Sequence, residues 1–403
     1  MMLSNPEVAG MPRAISGSAA LDGGDVSVWE TTERKLLERT VADFTERELV
    51  PHLGEWEAQG LVPREVHKRA AGLGLLEIGF PASVGGSGDI IDALTVSEAI
   101  IGSGGSIGLC AAMFTHGIAL PHIVHAGDPR QVERYVRPTL AGEKIGSLAI
   151  TEPDAGSDVA SIATTARLEG DHYVVNGSKT YITSGFRADF VVAAVRTGGP
   201  GHRGVSLLII DKDSEGFTVT RRLDKMGWLC SDTAELSFSE VVVPADNLVG
   251  EEGTGFRQIM ENFETERLTM AAQAAASARR CLALTMEWVS VRESFGAKLA
   301  SHQVVRHKVA EMARQAAVAT TFVHQVVEDY ASGEADRARI AMAKNTAVYA
   351  LDFVSQEAVQ LHGGAGFMRG TEVERHYRDA RVMGIGGGTN EIMNEIISRM
   401  LGL

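Results

Sequence analysis

Cysteine is scarce in this sequence, and the few cysteines present exclude several kinds of site. Cys110, Cys230 and Cys281 are the only three in 403 residues, and no two of them form a Cys-x-x-Cys pair. This distribution fits neither a disulfide framework nor a zinc site, and it is typical of a reducing compartment. The histidines between residues 116 and 125 lie close together but have no carboxylate among them. We therefore predict no metal site.

Uninterrupted apolar runs and basic residues are scarce as well. No apolar run reaches the roughly 18 residues that a membrane-spanning helix needs, so we expect no membrane span. The formal net charge is −14, which argues against nucleic acid as a main partner. Residues 1–27 lack the apolar segment of a secretory signal and include acidic residues. We predict that they form a disordered tail and that the protein is cytoplasmic.

The rest of the chain changes its periodicity twice, and these changes divide it into three parts. Residues 28–145 have mostly helical periodicity, whereas residues 146–250 carry short β-branched segments bounded by Gly, Asp or Asn. Alanine-rich amphipathic patterns return over residues 251–403. We predict an α+β multidomain fold with an N-terminal α-helical domain, a middle β-barrel or β-sandwich domain and a C-terminal four-helix bundle over these three ranges.

Proline and glycine give local predictions within these parts. In the first helix, the apolar face that includes Val41 and Phe44 is expected to end where Pro51 stops the helix. The glycines between Gly102 and Gly108 interrupt an otherwise apolar helical segment. Because each glycine inside a helix costs about 1 kcal/mol relative to alanine, this stretch predicts a break or a close approach by another segment. In the bundle we expect helices at about 256–293, 301–331 and 335–362 and a last helix from Asn390.

The first bundle helix carries two charges on its apolar side. Five apolar residues form one stripe at helical spacing: Phe256, Ile259, Met260, Phe263 and Met270. At about 100° per residue, Glu266 lies on the edge of this stripe and Arg267 lies within it. A carboxylate and a guanidinium turned toward an apolar interior need a partner or a function. Two interpretations stay open here: a buried structural ion pair, which is the commoner case, and a functional carboxylate.

Four polar or glycine-rich segments outside this helix are candidates for ligand contacts. Ile150–Asp158 and Lys179–Gly185 combine hydroxyl groups with turn residues, and Tyr181 offers a flat ring for stacking on a heterocycle. Leu361–Gly370 and Gly386–Glu391 are glycine clusters that let backbone approach a phosphate, and the second opens a helix. Taken singly, the first two segments are more often a plain turn or edge strand than a ligand site, and the glycines before the helix predicted from Asn390 are also consistent with a hinge.

Together these segments resemble the acyl-CoA dehydrogenase family over about Val28–Leu403. The resemblance rests on their order and spacing, and it is carried by Ala149–Asp158, Asn176–Ser184, Arg292–Gly296, Gln360–Phe367, Tyr377–Arg381 and Gly388–Glu391. It implies the helical, β, helical order of domains, one FAD per subunit and a homotetramer built as a dimer of dimers. It also implies an acyl-CoA substrate and an electron-transferring flavoprotein as the partner that takes the electrons.

The resemblance further implies roles for individual residues. Cofactor contacts, including those to the ADP moiety of a neighbouring subunit's FAD, are implied for Leu148, Ile150, Thr151, Ser157, Tyr181, Thr183, Arg292, Ser294, Phe295, Gln303, Gln360, Gly363, Gly364, Thr389 and Glu391. Substrate contacts are implied for Ser157, Phe263, Glu264, Arg267 and Gly388.

One departure from the commonest family pattern bears on the catalytic base. Most members have a glutamate directly before the Gly-Thr of the last motif, where this chain has Gly387. A branch that includes the long-chain and isovaleryl-CoA enzymes has its glutamate before an arginine early in the first bundle helix, and Glu266–Arg267 matches that placement. The resemblance therefore implies that Glu266 removes the α-proton of the thioester while flavin N5 takes the β-hydride. The N–H of Gly387 and a flavin hydroxyl would stabilise the enolate.

Other functions of the same scaffold stay open on the sequence alone. They are dehydrogenation of an acyl group held by a carrier protein, a flavin oxidase, and a relative that binds acyl-CoA without catalysis. Glu264 is the alternative base. The glycines between Gly102 and Gly108 match the helix that closes the acyl tunnel in the family, which favours a deep or branched pocket.

Overall fold

The fold has three successive parts, and the computed structural model describes them over residues 27–403. The helical, β and helical regions follow in the predicted order, so the predicted fold class is confirmed. The tail predicted for residues 1–27 lies, except for Ser27, outside the described residues. The domain boundaries at residues 145 and 250 stay a prediction, although the change from helices to strands occurs near each of them.

The N-terminal part consists of helices that pack around buried apolar side chains. No single helix within residues 27–403 is long and apolar enough to span a membrane, although one bent pair (107–113 with 116–126) has the length and composition to do so. The helices are α1 (Thr32–Phe44), α2 (Val50–Gln59), α3 (Arg64–Gly72), α4 (Ile90–Gly102), α5 (Ile107–Met113), α6 (His116–Ala126), α7 (Pro129–Gln131) and α8 (Arg137–Leu140).

The prediction that Pro51 stops the first helix is wrong. A π-helical turn over Thr45–Leu49 separates α1 from α2, and Pro51 occupies the first turn of α2. Proline is tolerated at that position because the N–H groups of a first helical turn have no acceptor within their own helix. The chain therefore continues as a helix to Gln59.

The glycine-rich stretch shows both of the features predicted for it. The chain leaves the helical conformation between α4 and α5. At Gly108, a Cβ atom would lie 2.6 Å from the Cα of Trp228, which belongs to the middle part. The N–H groups of Gly108 and Trp228 both donate to the buried carboxylate of Asp379, at 3.0 and 2.6 Å. One carboxylate thus joins all three parts of the chain where only glycine fits.

The middle part is a seven-stranded sheet that curls into two layers. One half is β1–β4–β5 and the other is β2–β3–β7–β6, and the pair Thr165–Arg196 joins them. Val191 and Phe238, one from each half, share a buried apolar cluster, so the two layers face each other as in the predicted barrel or sandwich. The strands are β1 (Gly146–Ala149), β2 (Thr165–Glu169), β3 (His172–Thr183), β4 (Phe190–Arg196), β5 (Val205–Asp211), β6 (Phe217–Arg222) and β7 (Thr233–Pro244).

The C-terminal part contains the predicted bundle and one more helix. The bundle helices are α9 (Gly255–Val291), α10 (Gln303–Ala331), α11 (Arg337–His362) and α14 (Asn390–Met400), with ends within two residues of the predicted ones. Between them lie the hairpin β8 (Glu293–Ser294) and β9 (Ala297–Lys298), the short α12 (Gly364–Phe367) and α13 (Glu372–Met383). The sequence reading missed α13, although Val373, His376, Ala380 and Met383 are buried at helical spacing.

Candidate active site

Helix α9 presents Glu266 toward the interior of the chain. The predicted apolar stripe is present, with Met270 buried and Phe263 half-buried. Glu266 is half-buried and Arg267 is buried, as their angular positions predict. Glu261 projects to solvent from the same helix. Helical geometry alone therefore separates an inward-facing carboxylate from a solvated one.

A glycine turn between α13 and α14 lies opposite Glu266. Gly387 and Gly388 have φ angles of +61° and +93°, in the left-handed region that favours glycine. Thr389 ends the turn and caps α14, because its hydroxyl accepts the N–H of Ile392 at 3.3 Å. Within residues 27–403, the N–H groups of Gly387 and Gly388 donate no hydrogen bond. The turn thus offers two free backbone donors.

Glu266 lies beside the space that a side chain at position 387 would fill. A Cβ atom on Gly387 would lie 3.6 Å from Oε1 of Glu266, 2.7 Å from Sδ of Met270 and 3.9 Å from Nζ of Lys344. Two residues that are distant in the sequence therefore meet at one place. A carboxylate carried by α9 reaches the region that a glutamate at 387 would also reach.

The carboxylate of Glu266 has charged neighbours but no hydrogen-bond donor in the described chain. Burial raises the pKa of Glu266 above its ordinary value, and the charges of Arg267 and Lys344 oppose this change without cancelling it. A carboxylate whose pKa moves toward neutrality is a better proton acceptor than an ordinary glutamate. The site thus holds a group with the properties of a general base.

The ion pair that was the alternative interpretation of α9 does not form. Arg267 donates from Nε to the carbonyl oxygen of Gly387 at 3.1 Å, and its guanidinium lies 5.6 Å from the centre of the Phe263 ring. No salt bridge connects it to Glu266 in the described part of the chain. Arg267 therefore supports the glycine turn, and the oxygens of Glu266 stay available.

Comparisons with known proteins relate the whole chain to one family. Models of the acyl-CoA dehydrogenase N-terminal, middle and C-terminal domains match residues 31–143, 147–241 and 253–402. The mitochondrial long-chain specific acyl-CoA dehydrogenase of Mus musculus is 36% identical over 92% of this chain and 87% of its own length. A probable acyl CoA dehydrogenase from Mycobacterium abscessus has a structure similar to this one with a TM-score of 0.92, at 61% identity over 93% of this chain and 100% of that one. An acyl-CoA dehydrogenase from Bacillus anthracis, complexed with FAD, gives 0.86 at 30% identity over 92% and 66%.

The chain belongs to the acyl-CoA dehydrogenase family. It is therefore an oxidoreductase of the acyl-CoA dehydrogenase class, and FAD-dependent dehydrogenation of acyl-CoA is the activity of that family.

The middle part of the chain brings together the two segments to which the resemblance assigns flavin contacts. The carbonyl of Thr151 accepts the N–H of Thr180 at 2.9 Å, and Lys179 donates to the carbonyl of Ile150 at 2.9 Å. Tyr181 follows in β3 with a φ angle of +59° and a side chain that is 69% exposed, so its ring is open to a ligand. Of the implied positions here, Leu148 and Ile150 are buried, Thr151 and Thr183 half-buried, and Ser157 and Tyr181 exposed.

Most of the implied cofactor residues of the bundle lie on its outer surface, away from the inward face that carries Glu266; Thr389 and Glu391 lie at the start of α14 instead. Phe295 is 97% exposed and has a φ angle of +52° in the hairpin between α9 and α10. A groove of about 450 Å³ between α10 and α11 has Gln303 and Val304 on its wall. The other implied positions on this surface are Arg292, Gln360, Gly363 and Gly364, all exposed, and Ser294, which is half-buried.

The implied substrate and α14 positions are only partly gathered at the turn. Gly388 lies in the turn, with Phe263 and Arg267 nearby on α9. Glu264 instead pairs with Arg337 of α11 at 2.7 Å. Its carboxylate therefore has a partner, whereas the carboxylate of Glu266 has none in the described chain. Of the remaining positions, Thr389 caps α14, Glu391 is exposed in its first turn, and Ser157 is exposed in the middle part.

Sequence reasoning missed Lys344 of α11. Its side chain is fully buried, and Nζ donates to the carbonyl oxygens of Gly386, at 2.6 Å, and Gly388. The signal was present in the sequence, because Ile340, Ala341, Ala347, Val348 and Leu351 surround this lysine at helical spacing and are all buried. A lysine at the centre of an apolar face, like Glu266 at the edge of one, needs a partner or a function.

Backbone groups without partners and an accessible aromatic ring fit an FAD. Gly387 and Gly388 present free N–H groups, and Gly363 and Gly364 have open space where a Cβ would stand, so backbone can approach a phosphate at both places. Tyr181 supplies an accessible aromatic ring. Over residues 27–403, no group of three or more potential metal ligands occurs.

Proposed function

We propose that this chain catalyses FAD-dependent α,β-dehydrogenation of an acyl-CoA thioester to the trans-2-enoyl-CoA, with Glu266 as the catalytic base. One observation carries the proposal: the unpaired carboxylate of Glu266 lies beside the glycine turn that contains Gly387. When bound, FAD supplies the acceptor for the hydride that leaves the β-carbon. The protein's own groups must then take the α-proton and stabilise the carbonyl oxygen.

Glu266 takes the α-proton. This proton is weakly acidic, so its removal needs a positioned base whose pKa lies closer to neutrality than that of a solvated carboxylate. Burial supplies the raised pKa of Glu266. The charges of Arg267 and Lys344 oppose this rise in pKa and so favour the ionised form, which a base requires. The proton then resides on Glu266 until the product has formed.

The N–H of Gly387 donates to the thioester oxygen as negative charge develops there. A donor that is aimed at this oxygen and has no other partner stabilises the enolate without reorganisation. In the described chain the Gly387 N–H is free, and the N–H of Gly388 is a second free donor next to it. Because the donor is backbone, the absence of a glutamate side chain at 387 does not remove it.

The remaining implied residues form two cofactor-holding groups in the proposal. The middle-domain residues around Tyr181 line the flavin ring, and Thr389 and Glu391 meet the cofactor near it. The bundle-surface residues around Phe295 hold the adenosine moiety of a neighbouring subunit's FAD. The 97% exposure of Phe295 is compatible with this second role, because its ring is accessible to a group from another subunit.

The proposed assembly and partners follow from these groups. We infer a homotetramer built as a dimer of dimers, in which the surface around Phe295 and Gln303 is covered. The electrons pass to an electron-transferring flavoprotein. Cys110, Cys230 and Cys281 are buried free thiols, which fits the reducing conditions of the cytoplasm.

The substrate we infer is a long or branched acyl-CoA. The placement of Glu266 on α9 resembles that of the long-chain and isovaleryl branch. The break between α4 and α5 supports a deep acyl pocket, because the helix there does not continue as a uniform wall. A long-chain specific enzyme is also among the relatives that align over most of the chain.

Anaerobic titration of the purified holoprotein tests the proposed function. A panel of acyl-CoAs from butyryl to palmitoyl, with isovaleryl and isobutyryl included, should bleach the visible flavin absorbance, and the longer or branched members should do so fastest. Bound flavin that no member of the panel reduces would overturn the proposal. Peroxide release in air would identify an oxidase, and preference for an acyl group on a carrier protein would identify the alternative substrate.

A further inference from the structure

Lys344 is a buried lysine without a carboxylate partner. It is fully buried in α11, and within residues 27–403 no carboxylate lies within salt-bridge distance of it. Its ammonium donates instead to the carbonyl oxygens of Gly386 and Gly388. Removing an ammonium from water costs several kcal/mol, so a buried lysine that serves only to hold a turn is an expensive choice. A neutral donor would serve a purely structural role at lower cost.

The two hydrogen bonds of Lys344 belong to a larger arrangement at the turn. Arg267 donates to the carbonyl of Gly387, so three consecutive carbonyls, those of residues 386, 387 and 388, accept from two cationic side chains. In a trans peptide the C=O of one residue and the N–H of the next point in opposite directions. Holding the Gly386 carbonyl toward Lys344 therefore turns the N–H of Gly387 away from it, and that N–H is free in the described chain.

We propose that Lys344 is a positioning residue of the active site: its ammonium fixes the peptide plane that presents the Gly387 N–H, and its charge lies close enough to favour the ionised form of Glu266. The inference rests on the proposed function, in which Glu266 is the base and the Gly387 N–H is the donor. It gives this lysine a role in both halves of the proton abstraction, exerted through the glycine turn and through Glu266.

The electrostatics of the pocket agree with the geometry. Burial lowers the pKa of Lys344 to about 8, with the charge of Glu266 opposing the change, and burial raises the pKa of Glu266, with Arg267 and Lys344 opposing it. Glu264 and Arg337 act on the pocket through Arg267. The positive charge of Lys344 lowers the pKa of Glu266, so its removal leaves Glu266 protonated up to a higher pH.

The test compares two variants of adjacent residues on α11. Lys344→Met removes the charge and both hydrogen bonds. Asn345→Ala is the matched control, because Asn345 is also buried and donates to the carbonyl of Asn390 at 3.1 Å and to Asn394 at 2.9 Å, but carries no charge. Each holoenzyme is assayed for flavin reduction by acyl-CoA as a function of pH. Each is also titrated with an acyl-CoA whose β-carbon is replaced by sulfur, which can lose an α-proton but has no β-hydride to give.

We expect Lys344→Met to move the acidic limb of the reduction rate to higher pH by about one unit. Even at high pH, the long-wavelength absorbance that appears when the sulfur analogue forms its enolate beside the flavin should be at least about tenfold weaker, because the donor N–H is no longer held. Asn345→Ala should lower the thermal midpoint but keep the wild-type pH profile and absorbance. Lys344→Arg, which keeps the charge, should keep the wild-type pH midpoint.

The inference is overturned if Lys344→Met keeps the wild-type pH midpoint and enolate absorbance, whatever its stability. If that variant does not retain FAD, Lys344→Gln replaces it, since glutamine keeps a donor and loses the charge: it should still shift the midpoint, and an unshifted midpoint contradicts the inference. A failure of the proposed function looks different, because then wild-type holoenzyme itself would neither be reduced by acyl-CoA nor form the enolate.

Discussion

Two glutamates of this chain are enclosed by cationic side chains and yet have opposite pKa shifts. Glu98 of α4 accepts from Arg279 at 2.7 Å and from His324 at 3.0 Å. Burial would raise its pKa, but the charge of Arg279 and the hydrogen bond from His324 outweigh burial and hold the pKa at about 2. Glu266 has cations nearby but no donor on its oxygens, and burial keeps its pKa raised.

The difference separates a structural carboxylate from a functional one. The oxygens of Glu98 are committed to partners from two other helices, so its proton affinity is low and it joins α4 to the bundle. The oxygens of Glu266 are left without a partner at the place where the chain also leaves two backbone N–H groups free. Unpaired buried polar groups cost stability, and they concentrate where a ligand completes them.

The largest effect we predict is that of Glu266→Gln. Because general-base catalysis contributes about 100- to 10,000-fold, the variant should reduce its flavin at least about 100-fold more slowly with acyl-CoA while retaining FAD. Stopped-flow flavin reduction measures the rate. Glu261→Gln on the exposed side of α9 is the matched control and should have the wild-type rate. A Glu266→Gln enzyme with a near wild-type rate would show that Glu266 is not the functional carboxylate.

Glu98→Gln should lower the stability of the protein and leave its rate of flavin reduction nearly unchanged. The pair of Glu98 with Arg279 is only partly buried, because the Arg279 side chain is 36% exposed. Loss of its charge-assisted hydrogen bond should lower the free energy of unfolding by about 1–3 kcal/mol. The rate of flavin reduction per bound flavin should stay within about threefold of wild type. Thermal unfolding and stopped-flow reduction on the same preparation measure both quantities. Glu169→Gln, which breaks an exposed pair with Arg167, should leave the thermal midpoint unchanged.

The pH dependences of stability and of catalysis should diverge at low pH. The pKa of Glu98 is lowered, so its stabilising contribution is present above about pH 4.5 and is lost as the pH falls toward about 2. The pKa of Glu266 is raised above 4.5, so the base becomes protonated and the rate falls at a higher pH than that. At pH values between the loss of rate and the loss of stability, the protein should still be folded but should reduce its flavin slowly. Thermal unfolding and flavin reduction are measured over the same pH series. If stability and the reduction rate are lost at the same pH, the comparison is wrong.

Glu264→Gln should have the smallest effect. Glu264 is two residues from Glu266, but its oxygen accepts from Arg337 at 2.7 Å in a partly exposed ion pair. Loss of this pair should change the rate of flavin reduction less than about fivefold, because pairs at the surface contribute little. The same stopped-flow assay decides the point. A Glu264→Gln enzyme as slow as we predict for Glu266→Gln would make Glu264 the base.

The sequence predicted those features that depend on periodicity. Helical spacing placed Glu266 on the inward edge of α9 and Glu261 outside, and alternation of short β-branched segments marked the middle sheet. The glycines near Gly108 predicted a close approach, and Trp228 makes it. Each of these follows from local rules that hold whatever the rest of the chain does.

Features that depend on long-range pairing were not predictable in the same way. Nothing in the spacing of α9 tells that Arg267 bonds to Gly387 rather than to Glu266, or that Lys344 reaches a turn 42 residues further along the chain. The partners of Glu98 come from α9 and α10, so its low pKa is also a tertiary property. Pro51 was misread because a π-turn shifted it into a first helical turn.

The most direct measurement is exchange of the α-protons of an acyl-CoA analogue with solvent. An acyl-CoA with sulfur in place of its β-carbon cannot transfer a hydride, so loss of its α-proton signal in deuterated buffer reports on the base alone. The account predicts exchange with wild-type holoenzyme and with Glu261→Gln, and exchange at least about 100-fold slower with Glu266→Gln. Exchange at the wild-type rate in Glu266→Gln, with FAD bound, would contradict the assignment of Glu266 as the base.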